Sequence, residues 1–367
     1  MPVAAFCTDI PEFHGGRIFD VKYAERFPGA AIFPPFAQTL RDLNWEVVTG
    51  DQLREGATGL RMDEVFVLQE DDSTIGRDLR NRGAIPALIL SGESPLYARD
   101  FYRHIGASCR PFPHRILFTG AHAAAGDDGI NHPLLFPAFH AERQQRFVPW
   151  AERKHMVLLA GNKYWRHNAI PWPQRLQRLA RETHDRANTA WLKANQLHDH
   201  RLDLIAYFSA QGSIDVFGSG WQSRSHLPRE HQQALTALVS VGSVSPGSSP
   251  KHDLLSSYRY TLTMENFRYP GYVTEKIFDA LAAGSIPVYL GAPDIESFVP
   301  RDAFIDIRDF ARKEDLSVFL NDLDQAGAES ILQHGRDFLQ SSQGQQHSFE
   351  DRGRFIARLL EQVAAKT

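Results

Sequence analysis

The chain has 367 residues, more than one hydrophobic core normally fills, so two domains are expected. Its net charge of -4 provides no overall basic field to attract nucleic acid, and its two cysteines exclude a disulfide framework or a thiolate metal cluster. Cys7 and Cys109 read as reduced, partly buried thiols. The N-terminus MPVAAFCTDIPEFHGG has no basic segment followed by an apolar run. No stretch reaches the ~18 apolar residues of a membrane span, so a soluble or peripheral protein is expected.

In chain order, AIFPPFAQTLRDLN reads as a helix, and WEVVTG and DEVFVLQE as strands. TIGRDLRNRG reads as a helix, PALILSGE as a buried strand and HRILFTG as another strand. Short apolar runs between helical segments predict a parallel sheet covered on both faces. Proline and charges in RFVPWAERK, near 146–154, mark a boundary. Beyond it come HMVLLAGN (strand), RLDLIAYFSAQG (helix) and SIDVFGSG (strand), then the loop-like GSVSPGSSPKHD. YRYTLTMEN, SIPVYLG and AFIDI read as strands, and TEKIFDALAAG and RKEDLSVFLNDLDQAG as helices. RGRFIARLLEQVAAKT is an amphipathic helix expected to pack on its own protein. The predicted class is thus α/β, two consecutive domains with a cleft between them, where ligands bind outside the carboxyl ends of the strands. The expected division is 1–150, 151–340, and a C-terminal helical segment 341–367.

Residues 251–300 carry the strongest functional signal. A strand ending at Met264 delivers Glu265 and Asn266, and Pro270-Gly271 turns the chain. Thr274 is placed to cap a helix whose first turn holds Glu275 and Lys276, and Gly284 suits its left-handed stop. A helix N-terminus with a lysine suits a diphosphate, and a neighbouring carboxylate suits ribose hydroxyls. From spacing alone, a capped helix with a solvated Glu-Lys pair explains the pattern equally well.

These residues resemble the donor-binding motif of the α1,3/4-fucosyltransferases, glycosyltransferase family 10. The matching pieces are Glu265-Asn266, Tyr272-Val273-Thr274-Glu275-Lys276, Ile286-Pro287-Val288 and Gly291, approached through Lys251 and Tyr258 to Tyr260. The resemblance implies the two-domain GT-B fold and an inverting, metal-independent transfer of L-fucose from GDP-β-L-fucose. The implied acceptor hydroxyl belongs to a glycan, with O3 of GlcNAc or glucose the family's usual choice. It implies that Lys276 holds the phosphate and fucose side of the donor, and Glu275 the ribose. Tyr272 and Asn266 would stand about the diphosphate and fucose, with Arg201 on the β-phosphate. By the same resemblance 1–150 binds the acceptor and 151–340 the GDP-sugar.

Inversion needs a base for the acceptor hydroxyl. The resembled family places a glutamate in a turn after an N-terminal-domain strand, which matches Ser91-Gly92-Glu93. Glu70, after DEVFVLQ, is a second candidate without a family match. His198 and His200 are read as solvated, as are Asp71-Asp72 and Asp127-Asp128, and no metal ligand or other cofactor is assigned. The family usually has Phe before Glu-Asn and a small polar residue after it. Here these are Met264 and Phe267, followed by Arg268. That departure motivates a second reading, the same mechanism with another GDP-sugar. A sugar-nucleotide epimerase or hydrolase, and a GDP-sugar-binding protein without activity, are the other classes considered. No G-x-G-x-x-G follows a strand and no P-loop lysine motif occurs. Lack of an anchor resembles bacterial members, implying a cytoplasmic enzyme, peripheral to the inner membrane, that decorates lipopolysaccharide or surface polysaccharide.

Overall fold

The structure, a computed structural model, describes residues 1–24, 26–27, 30–54, 60–140, 148–162, 186–221, 241–242 and 249–367. Part of GSVSPGSSPKHD, residues 243–248, lies outside them.

The first domain holds a six-stranded parallel sheet in the order β2-β1-β3-β4-β5-β6. Its strands are β1 (Val3–Cys7), β2 (Glu46–Thr49), β3 (Val65–Glu70), β4 (Ile85–Leu90), β5 (His114–Leu117) and β6 (Ile130–Pro133). Helices α1 (Phe33–Asp42), α2 (Thr74–Asn81) and the short α3 (Arg99–Arg103) belong to this domain. The inner strands read as unbroken apolar runs because both faces are covered, and Val67, Leu68, Leu88 and Ile89 have no exposure.

The second domain holds β7 (Lys154–Leu159), β8 (Ile214–Phe217), β9 (Val241–Gly242), β10 (Tyr258–Met264), β11 (Ile286–Leu290) and β12 (Ile305–Asp306). Their order is β12-β11-β10-β7-β8-β9, again all parallel. Among the described residues, the domain's helices are α4 (Arg186–Asn195), α5 (His198–Ala210), α6 (Ser249–Ser256), α7 (Glu275–Ala283), α8 (Lys313–Asp322) and α9 (Gln325–Gln340). In each sheet the order reverses at one crevice, β1/β3 in the first and β7/β10 in the second. Ligands of open α/β sheets bind at such crevices.

The last helix, α10 (Phe349–Ala364), returns to the first domain. Its Phe349, Ile356, Ala357, Leu360 and Val363 join one core with Phe36 and Leu40 of α1 and Phe66 and Leu88 of the sheet. Its N-cap Ser348 accepts from the Asp351 N–H at 3.2 Å. Gly353 meets α1 so closely that a Cβ there would stand 2.7 Å from the Phe36 nitrogen. Among the described residues, no helix is long and apolar enough to cross a membrane.

Three local expectations need correction. The loop-like GSVSPGSSPKHD already enters α6 at Ser249, since Pro250 in a first turn costs no hydrogen bond. RKEDLSVFLNDLDQAG is two helices. Leu323 turns extended and Asp324 caps α9 by accepting from the Gly327 N–H at 2.7 Å. AFIDI contributes only the two-residue edge strand β12.

Candidate active site

Strand β10 pairs with β11 through Met264↔Leu290 and ends at the crevice beside β7. Glu265 is fully buried there. Its carboxylate accepts from the Thr274 N–H at 2.8 Å, from the Thr274 hydroxyl at 2.9 and 3.0 Å, and from Lys276 Nζ at 3.0 Å. Thr274 is therefore the N-cap residue of α7 in backbone only. Its hydroxyl is spent on Glu265, whose carboxylate satisfies the N–H of Thr274 itself and leaves the first helical turn without a side-chain cap. Gly291 is needed for this packing, because a Cβ there would stand 2.5 Å from the Glu265 Cγ.

Lys276 Nζ also donates to Thr274 Oγ1 at 2.7 Å, and Glu275 Oε1 lies 3.8 Å away. The lysine side chain is 17% exposed. Burial works against its charge, but the Glu265 and Glu275 carboxylates outweigh it and hold its pKa above the usual value. The solvated Glu-Lys pair is thus excluded for Lys276, whose main partner is a buried carboxylate. Gly284 ends α7 at φ 68°, as its position requires.

Arg201, in the first turn of α5, is 3% exposed. Its Nη2 donates to the Met264 carbonyl at 2.7 Å, the Glu265 carbonyl at 2.9 Å and Asn266 Oδ1 at 3.0 Å. Its Nε is buried without a partner. The guanidinium therefore props up the strand end that carries Glu265 and Asn266. Asn266 is itself buried, and its carbonyl accepts from the Leu197 N–H at 3.1 Å.

Tyr272 is buried edge-on against Phe118 of the first domain, with ring centroids 4.9 Å apart. Burial, then the charges of Glu265, Glu93 and Glu275, raises its phenol well above the ordinary tyrosine value. Charges from both domains thus converge on one ring. The domains are also joined by Gly120 N–H to the Pro270 carbonyl at 3.0 Å and Thr119 Oγ1 to Asp294 Oδ2 at 3.1 Å. Asp294 Oδ1 accepts from the Gly271 N–H at 2.8 Å, and Gly271 has a φ of 74°.

Glu93 is exposed in the turn after β4, and its carbonyl accepts from the Tyr102 hydroxyl at 3.0 Å. Gly92 has no positive φ and open space at its Cβ position, so the turn does not depend on it. Glu70 lies at the β1/β3 crevice and accepts from the Thr8 hydroxyl at 2.5 Å. Burial chiefly, with help from the charge of Glu93, raises its carboxyl.

Two further expectations change, those for His198 and Asp71. His198 is buried, not solvated, and its Nε2 meets the Tyr97 hydroxyl across the domain boundary at 3.0 Å. Asp71 is partly buried at φ 46° with Oδ1 unpartnered, and burial raises its pKa to about 7. Asp127 and Asp128 are exposed, as expected, and Asp128 also pairs with the buried Arg115. Phe267 is fully buried, with its ring centroid 5.1 Å from that of Trp191. Cys7 and Cys109 are both free and buried.

Sequence reasoning brought Glu265 to the right place without assigning it a role. The signal was present, an acidic residue ending a strand eleven positions before a lysine, but its burial is a tertiary fact.

Two Rossmann-like domains with a polar cluster at the strand ends between them define the GT-B class of glycosyltransferase folds. Solved structures agree. One α1,3-fucosyltransferase structure with GDP matches with a TM-score of 0.51 at 14% identity, covering 98% of this chain and 90% of that one. Anabaena Alr3699/HepE in complex with UDP and glucose matches with a TM-score of 0.60 at 12% identity, covering 99% and 100%. At such identities these likenesses speak for the fold alone.

Residues 183–332 match the family model for the C-terminal part of glycosyltransferase family 10 (fucosyltransferase). That segment, under half of the chain, is similar to the C-terminal domain of that family. Alpha-(1,3)-fucosyltransferase 7 of Rattus norvegicus is 44% identical over 141 residues, 37% of this chain and 32% of the relative. The 3-galactosyl-N-acetylglucosaminide 4-alpha-L-fucosyltransferase FUT3 of Pan troglodytes is 38% identical over 140 residues, again 37% and 32%. The match to this chain spans about a third of the length of these curated relatives.

Proposed function

We propose that this protein transfers L-fucose from GDP-β-L-fucose to a glycan hydroxyl with inversion, forming an α-fucoside. The observation that carries the reading is the Glu265–Thr274–Lys276 cluster at the N-terminus of α7, inside the segment that matches the fucosyltransferase family. An ammonium has three donors. Two of those on Lys276 engage Glu265 and Thr274, leaving a third for a phosphate oxygen, together with the free N–H groups of the α7 N-terminus. Glu275, 19% exposed beside it, takes the ribose. Arg201 and Asn266 hold the strand end beneath the diphosphate, and Tyr272 closes the site toward the first domain.

In this reaction the acceptor oxygen bonds the anomeric carbon while its proton passes to the Glu93 carboxylate. The bond from that carbon to the β-phosphate oxygen breaks, and GDP departs with the electron pair. Attack opposite GDP turns the β-linkage into an α-linkage. Charge growing on the leaving diphosphate is met by Lys276 and the helix terminus, so we propose that no metal is required. Burial of Phe267 in a packing cluster with Leu96, Phe118, Leu192 and Tyr272 supports L-fucose over another GDP-sugar. It accounts for the family departure at this position by packing, without a change of donor. The acceptor, GlcNAc- or glucose-bearing, and a place on surface polysaccharide or lipopolysaccharide at the inner membrane belong to the same proposal.

The testing experiment is thermal stabilisation by GDP, GDP-fucose, GDP-mannose, UDP and CMP, with and without EDTA. A ligand at 100 times its Kd adds about 2.7 kcal/mol of apparent stability, a visible shift. Stabilisation by GDP and GDP-fucose, unaffected by EDTA, is expected. Stabilisation by UDP or CMP in their place overturns the reading.

A further inference from the structure

Asp294 heads a one-turn 3-10 helix (Ile295–Ser297) on the segment that follows β11. An aspartate in that position ordinarily turns its carboxylate onto the N–H groups of its own helix. This one makes no such bond. One oxygen accepts from the Gly271 N–H at 2.8 Å, on the loop that leads to Tyr272. The other accepts from the Thr119 hydroxyl at 3.1 Å, in the first domain just past β5. A single carboxylate thus bonds the donor-side loop of one domain and a strand-end turn of the other.

The surrounding contact is closely built. A Cβ on Gly271 would stand 2.5 Å from Thr119 Oγ1, and one on Gly120 would stand 2.8 Å from the Tyr269 ring. The Gly120 N–H donates to the Pro270 carbonyl at 3.0 Å, and Phe118 meets Tyr272 edge-on. Residues 118–120 therefore lie against 269–272, and Asp294 is bonded to both stretches. Its own segment is anchored too, because the Ala292 N–H donates to the Tyr289 hydroxyl at 2.9 Å and Gly291 packs on Glu265. The segment after β11 thus touches the carboxylate that holds Lys276 and also reaches the domain that carries Glu93.

We propose that Asp294 is a positioning residue for the transfer, which holds the two domains in the register that sets Glu93 against the bound donor. Arg201, Glu275 and Lys276 belong to the second domain and Glu93 to the first, so the geometry of attack depends on that register. Reacting atoms must stand about 3–3.5 Å apart, and a misplacement of about 1 Å can cost about 10²-fold in rate. The bond from Thr119 to Asp294 is charge-assisted, the stronger kind of hydrogen bond. Thr119 lies in the first domain, apart from the groups assigned to the donor. Losing its hydroxyl lowers the fraction of molecules in register and leaves those groups in place. The catalytic consequence rests on the fucosyl-transfer reading, whereas the clasp rests on the contacts alone.

The test compares Thr119→Ala, which removes the hydroxyl, with Thr119→Ser, which keeps it. Release of GDP from GDP-fucose is followed with N-acetyllactosamine or water as acceptor. GDP affinity is measured by calorimetry, and the full chain is examined by small-angle X-ray scattering. Thr119→Ala is expected to lower kcat about tenfold, the weight of one hydrogen bond to a charged group. The KM for GDP-fucose and the affinity for GDP should stay at wild-type values, which also certifies the fold. Thr119→Ser should restore the rate, and Thr119→Ala should add nothing on an Asp294→Ala background. In scattering, Thr119→Ala should have a larger radius of gyration than the wild type, and Thr119→Ser should not. A wild-type kcat in Thr119→Ala, an equal loss in Thr119→Ser, or GDP binding that weakens in step with the rate overturns the positioning role. If the wild type releases GDP with neither acceptor, the transfer reading fails instead. Scattering still reads the clasp in that case, and coinciding curves for Thr119→Ala and the wild type overturn it.

Discussion

The Lys276 ammonium lies 3.0 Å from the carboxylate of Glu265, which has no solvent exposure. A charge on the helix that would receive the diphosphate is thus tied to a charge on the strand that ends beneath it. Removing one partner of such a buried pair leaves the other uncompensated and costs about 3–5 kcal/mol. Glu265→Gln is expected to destabilise the protein on that scale. Lys276→Met on the Glu265→Gln background should cost much less than Lys276→Met in the wild type. Urea unfolding of the four proteins of the cycle reads the coupling, and simple additivity would mean the pair is not energetically linked.

Glu93 is exposed, so replacing it should leave the fold intact. For Glu93→Gln we expect fucosyl transfer to fall by about 10²-fold or more, the usual weight of a general base. GDP should stabilise the variant as it does the wild type. Transfer at the wild-type rate would move the base elsewhere, and Glu70, with its raised carboxyl pKa, would be next to test.

Asp71 makes a stability prediction with a definite sign. Burial, with the charges of Glu70, Glu93 and Asp72, raises its carboxyl from 3.8 to about 7. A carboxyl raised in the folded state favours folding below its unfolded pKa, and that contribution is lost as pH rises through the folded value. The wild type should therefore lose stability from this group between roughly pH 4 and pH 7. Asparagine tolerates the positive φ of this position. Asp71→Asn should accordingly match the wild type near pH 4 and exceed it at pH 8 in urea midpoint. A difference independent of pH would refute the assignment.

Gly271 joins the domains at a φ of 74°, and a Cβ there would stand 2.6 Å from the Thr119 nitrogen. Gly271→Ala combines backbone strain of about 1–3 kcal/mol with a clash against backbone. The melting midpoint should drop and GDP-fucose turnover fall with it, since the same loop leads into Tyr272. Gly92→Ala, at a position with open space and no positive φ, serves as the control and should do neither.

Local sequence determined the elements and the chemistry available at their ends. Apolar runs between amphipathic segments were enough for two parallel α/β sheets, because strands covered on both faces leave that signature wherever they occur. Glu265-Asn266, the proline-glycine turn and the Thr-Glu-Lys helix start lie within a dozen residues, so strand, turn and helix signals put them at one junction without knowledge of the rest of the chain. Partnership was another matter. Whether Lys276 is solvated or paired depends on Glu265, and whether Arg201 is a surface or a buried arginine depends on a strand end more than sixty residues away. His198 reads as solvated until Tyr97 from the other domain reaches it, and the departure at Phe267 motivates another donor until its packing against α4 accounts for it. Burial and pairing arise from packing between segments distant in sequence. Local periodicity records which face of an element is apolar, while only the assembled fold decides what that face, or a polar group at its end, will meet.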